Sequence, residues 1–227
     1  MLRHWEELPK YMQTEEVRFY YDILKRKKAN IFLKRVFDLM VSIIMLVMLS
    51  PLMIVLSIAI VIDSEGGVFF RQERITQYGK KFYIHKFRTM VANAESIGSQ
   101  VTVANDMRVT KIGAKIRKYR LDELPQLIDI LQGNMSFVGT RPEVTKYVEK
   151  YTPEMMATLL LPAGVTSEAS IQYKDEELLL QNSNNADEVY VNEVLPEKMR
   201  YNLKSLDKFS FLSELGTMIK TVLIVIR

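Results

Sequence analysis

One uncharged apolar run constrains this chain more than any other feature. Residues Leu39 to Ile62 form 24 consecutive positions without Asp, Glu, Lys, Arg or His. A helix of that length is about 36 Å long, enough to cross a hydrocarbon core of about 30 Å. The run starts too far from the N-terminus for a secretory signal peptide and lacks a small-residue cleavage pattern. The sequence therefore predicts a membrane element in an otherwise globular chain.

The path of this element depends on Ser50-Pro51, which lies near the middle of the run. Proline removes a backbone donor and its ring clashes with the preceding turn, so we predict a bend there. Basic residues precede the run at Lys25–Lys28 and follow it from Arg71 onward, and positive charge favours the cytoplasmic side. A helix that enters the membrane and returns keeps both basic flanks in the cytoplasm, whereas a helix that spans the membrane places one of them on the outside. Many spanning helices contain proline, so the residues alone leave both topologies open.

The amino-acid composition limits which kinds of catalytic and metal site the chain can form. The 227 residues include no cysteine, which excludes disulfides, thiolate catalysis and cysteine-based zinc sites. His4 and His85 are the two histidines and lie far apart, which disfavours a His-x-His metal site or a His-based triad. A general base is therefore expected to be a carboxylate, with Lys and Tyr as the less favoured alternatives. Between Asp63 and Arg120 there are 12 Lys or Arg against 5 Asp or Glu. Such a surplus attracts phosphates, although an ordinary solvated surface is the equal alternative.

The rest of the chain predicts a mainly helical α+β fold. Residues 68–74 and 81–87 are rich in β-prone side chains and favour a short β-hairpin through Tyr78-Gly79. Helical spacing or amphipathic pattern predicts helices over 91–100, 111–119, 124–131, 143–161 and 187–195. Gly133-Asn134 is expected to end the leucine-rich helix over 124–131.

Both ends of the chain are amphipathic. Residues 1–30 mix aromatic and charged side chains, which predicts a surface-associated segment or a partly ordered extension. Near the C-terminus an apolar stripe runs from Leu212 to Ile226 at helical spacing. It is suited either to the membrane interface or to packing on a core.

Two adjacent carboxylates, Asp122 and Glu123, stand in the segment Tyr119-Arg-Leu-Asp-Glu-Leu-Pro-Gln-Leu127. Asp122 before a new helix is most simply an N-cap. If it opens that helix, the helix N-terminus favours its ionised form, and an ionised carboxylate can attack phosphorus. Glu123 would face elsewhere and could act as an acid, a base or a metal ligand. Magnesium is the expected ion, with Asp122 as its ligand, because carboxylate and phosphate oxygens suit it.

Cations that could hold phosphate occur at two places. Lys86 and Arg88 in Lys86-Phe-Arg-Thr89 would face the same side of an extended segment, with Thr89 beside them. Arg141-Pro142 places a guanidinium on a fixed turn, which suits bidentate phosphate recognition. Each motif alone is also compatible with solvated surface.

The order of the motifs is more specific than any one of them. They are, in sequence, Lys34-Arg-Val-Phe-Asp38, the run containing Ser50-Pro51, Gly67-Val-Phe-Phe-Arg-Gln72, Lys86-Phe-Arg-Thr-Met90, Leu121-Asp-Glu-Leu-Pro-Gln-Leu127, Met135-Ser-Phe-Val-Gly139, Arg141-Pro142 and Pro162-Ala-Gly-Val-Thr166. From about Lys34 to the C-terminus this order closely resembles the bacterial sugar transferases that act as monotopic phosphoglycosyl transferases.

The resemblance implies a function. Such enzymes transfer a sugar 1-phosphate from a UDP-sugar to undecaprenyl phosphate, release UMP, use Mg²⁺ and begin lipid-linked glycan assembly. They work at the cytoplasmic face of the bacterial inner membrane, among its lipids. The position of Asp122 is that of the covalent nucleophile, Glu123 its dyad partner, and the apolar helix is re-entrant, broken at Ser50 and Pro51.

That comparison divides the chain into an extension (1–33), a re-entrant membrane helix (34–63) and a cytoplasmic catalytic domain (64–227). Two departures limit it. Gly139-Thr-Arg-Pro142 stands where the family commonly has Gly-Pro-Arg-Pro, and Ser167–Lys174 differs from the usual continuation. Glu168, Gln172 and Lys174 could face the sugar, or cap and line a loop. The sequence specifies neither the sugar nor the pathway.

Two other classes of protein would each explain part of the sequence. A non-catalytic membrane scaffold that binds anionic lipid would explain the basic surplus, but it gains nothing from adjacent carboxylates. A nucleic-acid binder would fit the pI of about 9.1 but explains neither the apolar run nor the acidic pair, so no nucleic-acid partner is expected. A homodimer is compatible with the sequence.

Overall fold

The computed structural model describes residues 2–94, 106–174, 176, 179 and 186–226. The helices are α1 (Glu15–Arg26), α2 (Lys28–Asp63), α3 (Lys111–Lys118), α4 (Gln126–Leu131), α5 (Thr145–Val148), α6 (Glu168–Gln172), α7 (Ala186–Val189), α8 (Leu195–Asp207) and α9 (Phe211–Ile226). The strands are β1 (Phe69–Ile75), β2 (Lys81–Phe87), β3 (Met135–Val138) and β4 (Ala163–Thr166). The mainly helical α+β prediction is confirmed.

Two small sheets carry the segments that lead to the cleft described below. Strands β1 and β2 form the expected antiparallel hairpin, with Phe70 opposite Lys86. Strands β3 and β4 pair in parallel, with Ser136 opposite Gly164. Gly139 follows β3 and meets Gly164 so closely that a Cβ on Gly164 would lie 2.2 Å from the Gly139 nitrogen. Glycine is required there, because any side chain would push the two backbones apart.

Helix α2 contains the whole apolar run and is long and apolar enough to cross a membrane. The helix continues through Pro51. The structure therefore shows no loss of helical conformation at Ser50 and Pro51, where a break was expected. The Ser50 hydroxyl donates to the Val47 carbonyl at 2.9 Å. The re-entrant path through a membrane stays a prediction.

One face of α2 packs on the rest of the protein, most closely in its first half and again near its end. Ile31, Lys34, Asp38, Ser42 and Ile60 are its buried residues, and these positions recur at helical spacing. The other face is apolar and exposed, with Val47 70% and Met48 73% accessible. A helix that buries a polar-containing stripe and exposes its apolar side has the reverse of the soluble pattern, which indicates a lipid-facing surface.

Buried polar groups fix the first half of α2. The Lys34 ammonium donates to the Val138 carbonyl at 2.7 Å and pairs with Glu214 of α9. The Asp38 carboxylate accepts from the Ser136 hydroxyl at 2.7 Å and from the Phe137 N–H at 3.3 Å. The Arg35 guanidinium donates to the Ile130 carbonyl at 2.6 Å. These contacts tie α2 to β3, α4 and α9.

The N-terminal residues are part of the folded core rather than a loose extension. Leu8, Met12, Val17 and Leu24 are buried in one cluster with residues of the 155–160 segment and α8. Residues 28–33 belong to α2, so this helix begins six residues before the segment 34–63 that was predicted as the membrane helix.

Some of the other secondary-structure predictions are confirmed and one is wrong. The helices at 111–119, 124–131 and the C-terminus are confirmed. The continuous helix over 143–161 is wrong: α5 ends at Val148 and a 3₁₀ helix covers Met155–Leu160. Pro153 explains the interruption, because the residue before a proline disfavours helical geometry. The helix expected over 91–100 lies mostly outside the described residues. Leu212, Ile219 and Val222 on α9 are exposed, which favours the membrane-interface alternative over core packing.

The Asp38 anchor can be tested by Asp38→Ala. This change leaves the Ser136 and Phe137 donors without their acceptor in the interior, so we expect the free energy of unfolding to fall by about 1–3 kcal/mol. Denaturant unfolding in detergent micelles measures it. The matched control is Asp22→Ala, which removes an exposed helical carboxylate paired with Arg18 and should change stability by less than about 1 kcal/mol. Equal effects of the two variants would contradict the anchoring role.

Candidate active site

The acidic pair lies in a tight turn between α3 and α4. Leu121–Glu123 form a 3₁₀ helix preceded by Arg120, whose φ of 55° is left-handed. Helix α4 begins at Gln126, after Pro125. Proline has no N–H to donate, so it is tolerated only in the first turn and sets the start of the helix here. Asp122 therefore does not cap the helix, and that part of the sequence-based expectation is wrong.

Glu123 joins three segments of the chain. Its Oε1 atom accepts from the Lys86 ammonium at 3.0 Å and from the Arg141 guanidinium at 2.5 Å. Lys86 comes from β2, and Arg141 follows β3. Burial acts to raise the pKa of Glu123, but the positive charges of Arg141 and Lys86 outweigh it and hold the pKa well below its usual range. Glu123 is therefore ionised across the physiological range.

Asp122 has a different environment. Burial raises the pKa of this carboxyl, and the negative charge of Glu123 adds to the effect, while Lys86 opposes it. Its Oδ1 atom is buried and has no hydrogen-bond partner among the described residues. The expectation that a helix N-terminus stabilises its ionised form is thus reversed. A carboxylate with a raised pKa is more basic, and hence a better nucleophile once ionised.

Lys86 and Arg141 respond oppositely to this cluster. Burial lowers the pKa of Lys86, although Glu123 acts in the other direction. The charge of Glu123 raises the pKa of Arg141, whose guanidinium also donates to the Val165 carbonyl at 3.4 Å. Two cations and two carboxylates thus meet at one point. That arrangement offers positive charge to an incoming phosphate beside a nucleophilic oxygen.

Arg88 and Thr89 are placed differently from the expectation. The Arg88 guanidinium donates to the Ser64 carbonyl at 2.7 Å and to the Glu65 carbonyl, so it binds the segment that follows α2 instead of standing beside Lys86. The Thr89 carbonyl accepts from the Thr110 N–H at 3.0 Å. Pro142 offers its carbonyl to Arg74 at 3.1 Å. All three nevertheless line the same cleft as the acidic pair.

This cleft has a volume of about 1280 Å³, large enough for a nucleotide-sized ligand. Its lining includes Met45 of α2 and Ile224 of α9, from the two helices with exposed apolar faces. It also includes basic side chains near the acidic pair, among them Arg117, Lys118 and Arg120. The cleft therefore lies between an exposed apolar surface and a charged site.

The segment Ser167–Lys174, which differs from the usual family sequence, contains residues that stabilise the fold as well as one that lines the cleft. Ser167 caps α6, and the Glu168 carboxylate accepts from Thr217 and Lys220 of α9, both at 2.9 Å. Glu168 thus tethers two helices. Gln172 lies at the end of α6, whereas Lys174 lines the cleft.

Sequence reasoning missed the roles of two groups of residues. Lys34, Arg35 and Asp38 were noted only as part of a motif, and the signal for their anchoring role was their polar character inside an otherwise apolar helix. Arg74, Glu143, Tyr190 and Lys198 line the cleft from segments far apart in the chain, and no local pattern marks them.

Sequence comparison with known proteins identifies relatives that are named as sugar phosphotransferases. The chain is 41% identical over 124 residues to UDP-N-acetylgalactosamine-undecaprenyl-phosphate N-acetylgalactosaminephosphotransferase of Aeromonas hydrophila, covering 55% of this chain and 29% of that protein. It is 37% identical over 155 residues to undecaprenyl-phosphate galactose phosphotransferase of Salmonella typhimurium, covering 62% of this chain and 32% of that protein. The chain thus spans about a third of the length of these two relatives.

A shorter relative is matched over more of its length. The sugar transferase EpsL of Bacillus subtilis is 40% identical over 140 residues, which cover 61% of this chain and 68% of that protein. A family profile described as bacterial sugar transferase matches residues 29–227, which include α2, the acidic pair and the cations around it. The chain therefore belongs to the bacterial sugar transferase family.

Proposed function

We propose that this protein transfers a sugar 1-phosphate from a UDP-sugar to undecaprenyl phosphate and releases UMP, the first step of a lipid-linked glycan. The observation that carries the proposal is Asp122: a buried carboxylate of raised pKa with an unpartnered oxygen, beside Lys86, Glu123 and Arg141. The relatives from Aeromonas hydrophila and Salmonella typhimurium named above are undecaprenyl-phosphate sugar phosphotransferases, which supports the same substrates.

The reaction proceeds in two displacements. An Asp122 carboxylate oxygen attacks the β-phosphorus of the UDP-sugar, and the bond from that phosphorus to the bridging oxygen breaks. UMP leaves with the bridging oxygen and its electron pair, so the sugar phosphate is held as an acyl phosphate on Asp122. A phosphate oxygen of undecaprenyl phosphate then attacks the same phosphorus. This regenerates the Asp122 carboxylate and forms the lipid diphosphate sugar.

Glu123 and its two cations support these steps. The cations offset negative charge that builds up on the phosphoryl oxygens, and Glu123 holds them in place because its hydrogen bonds fix both side chains. Its negative charge also keeps Asp122 basic. Glu123 is thus a positioning residue in this form of the site.

Magnesium fits the site. Mg²⁺ is commonly bound by one or two carboxylates together with substrate phosphates and water. The described residues include no group of three or more His, Asp or Glu that would form an all-protein metal cage, while Asp122 retains an unpartnered oxygen. Asp122 would hold the ion, which, when bound, supplies a Lewis acid for the diphosphate.

The structure also supports a monotopic arrangement. The start of α2 is tied to β3 and α4 by Lys34 and Arg35, and its end is tied to α3 because Asp63 accepts from the Ile112 N–H at 2.8 Å. One polar domain therefore holds both ends of the helix. Such a domain has no place inside a bilayer, so both ends belong on one side, at the cytoplasmic face of the inner membrane, with the exposed apolar face of α2 in the lipid.

The nucleophile is tested by Asp122→Asn. An amide does not form the acyl phosphate, so UMP release from a panel of UDP-sugars, with undecaprenyl phosphate and Mg²⁺, should be nearly abolished. The same variant should keep or raise the melting temperature, because it removes a buried charge whose folded-state pKa is raised. Glu123→Ala is the contrast: it leaves Lys86 and Arg141 without a counter-charge and should lower the free energy of unfolding by about 1.5–3 kcal/mol. Substantial activity in folded Asp122→Asn would contradict the assignment. A chain that releases no UMP from any sugar would instead favour the lipid-binding scaffold.

The pH dependence tests the electrostatics. Because Asp122 must be ionised to attack, kcat/KM should fall as pH drops through its pKa, above the ordinary value of about 3.9. The Lys86 charge lowers that pKa, so Lys86→Gln should move the acid limb to higher pH, apart from any loss in rate. Lys80→Gln, at an exposed position on the same hairpin, should leave the limb in place. A limb that stays or moves down in Lys86→Gln would refute this account.

Topology is tested with single cysteines, since the chain has none of its own. Lys10→Cys and Arg200→Cys sit at exposed positions before and after α2. In intact spheroplasts both should resist an impermeant thiol reagent, and both should react once the membrane is permeabilised. Labelling of one site alone in intact spheroplasts would show a chain that crosses the membrane.

A further inference from the structure

A second polar cluster lines the cleft apart from the acidic pair. It comprises Glu143, Glu176, Tyr190 and Lys198. The Tyr190 hydroxyl donates to Glu143 at 2.5 Å, and the Lys198 ammonium donates to Glu176 at 2.9 Å and to the Tyr190 oxygen at 3.1 Å. Lys198 also lies 3.8 Å from Glu143. One ammonium thus faces two carboxylates, and the Arg74 guanidinium also interacts with the charge of Glu143.

The cluster is directly connected to the site of phosphoryl transfer. Arg141 binds Glu123, and Glu143, two residues further along, binds Tyr190. Two residues span at most about 7 Å, which is on the scale of one monosaccharide ring. A sugar whose phosphate lies at Asp122 and Arg141 could therefore reach the second cluster inside the same cleft.

The members of the cluster differ in exposure. Glu143, Tyr190 and Lys198 are buried, with accessibilities of 6%, 3% and 5%, whereas the Glu176 side chain is 25% accessible. Glu176 is therefore the group presented to a ligand, and the other three hold it in position. A carboxylate presented in this way accepts strong hydrogen bonds from sugar hydroxyls.

We propose that this cluster recognises the sugar of the nucleotide donor, and that Glu176 selects neutral hexoses or N-acetylhexosamines over uronic acids. The proposal rests on the proposed function. A neutral sugar donates hydroxyl hydrogens to the Glu176 carboxylate. A uronic acid brings a second carboxylate to the same place, and like charges placed together across an interface oppose binding.

The test compares wild type with Glu176→Gln. UMP release is measured with undecaprenyl phosphate and with four donors: UDP-glucose, UDP-N-acetylgalactosamine, UDP-glucuronic acid and UDP-galacturonic acid. Wild type should favour the neutral donors. In Glu176→Gln the ratio of kcat/KM for acidic over neutral donors should rise by about tenfold, while the KM for undecaprenyl phosphate stays unchanged.

The matched control is Glu168→Gln, which neutralises a nearby glutamate that contacts α9 rather than the cleft. Its donor ratio should equal that of wild type. An unchanged ratio in Glu176→Gln, or an equal loss for all four donors, would overturn the specificity role. So would a wild type that prefers uronic acids. Absence of UMP release from every donor would instead refute the proposed function itself, so the two failures are distinguishable.

Discussion

The attachment of one polar domain to both ends of a long apolar helix is the constraint on which this structure depends. Lys34 and Asp38 of α2 are buried, hydrogen-bonded polar side chains, a costly arrangement unless every group has a partner. Their partners lie on β3 and α9, so the helix has one fixed rotation about its axis. That rotation directs Val47 and Met48 outward and brings Met45 to the cleft.

The attachment of α2 to β3 also sets the position of the candidate active site. Strand β3 is bound to α2 at Asp38 and leads through Gly139 to Arg141, which binds Glu123. The hairpin contributes Lys86 from the other side. Two carboxylates adjacent in sequence then acquire opposite properties, since Glu123 meets two cations and Asp122 meets mainly a desolvating environment. Divergent pKa values in neighbouring acids are typical of catalytic pairs.

Local patterns predicted the secondary structure well where one principle dominated. The hairpin, α3, α4 and α9 followed from β propensity, amphipathic spacing and the stop at Gly133. Prediction failed where prolines and tertiary contacts competed with pattern. Pro153 interrupts the segment after α5, Pro125 delays the start of α4, and Pro51 leaves α2 helical despite its missing donor. Contacts on either side of Pro51, through Leu49 and Met53, explain that last outcome, because tertiary contacts outweigh a single unfavourable residue.

The sequence by itself determined that the chain contains a long uncharged apolar run, has no cysteine chemistry and carries two adjacent acids, Asp122 and Glu123, downstream of a basic segment. Composition and motif order are local properties and can be read directly. The tertiary structure alone decided which cation each carboxylate meets, that Arg88 binds the end of α2 and that Glu143 joins Lys198. Those outcomes depend on residues brought together from distant segments, and burial and charge at a point in space are not recorded in the sequence around any one of them.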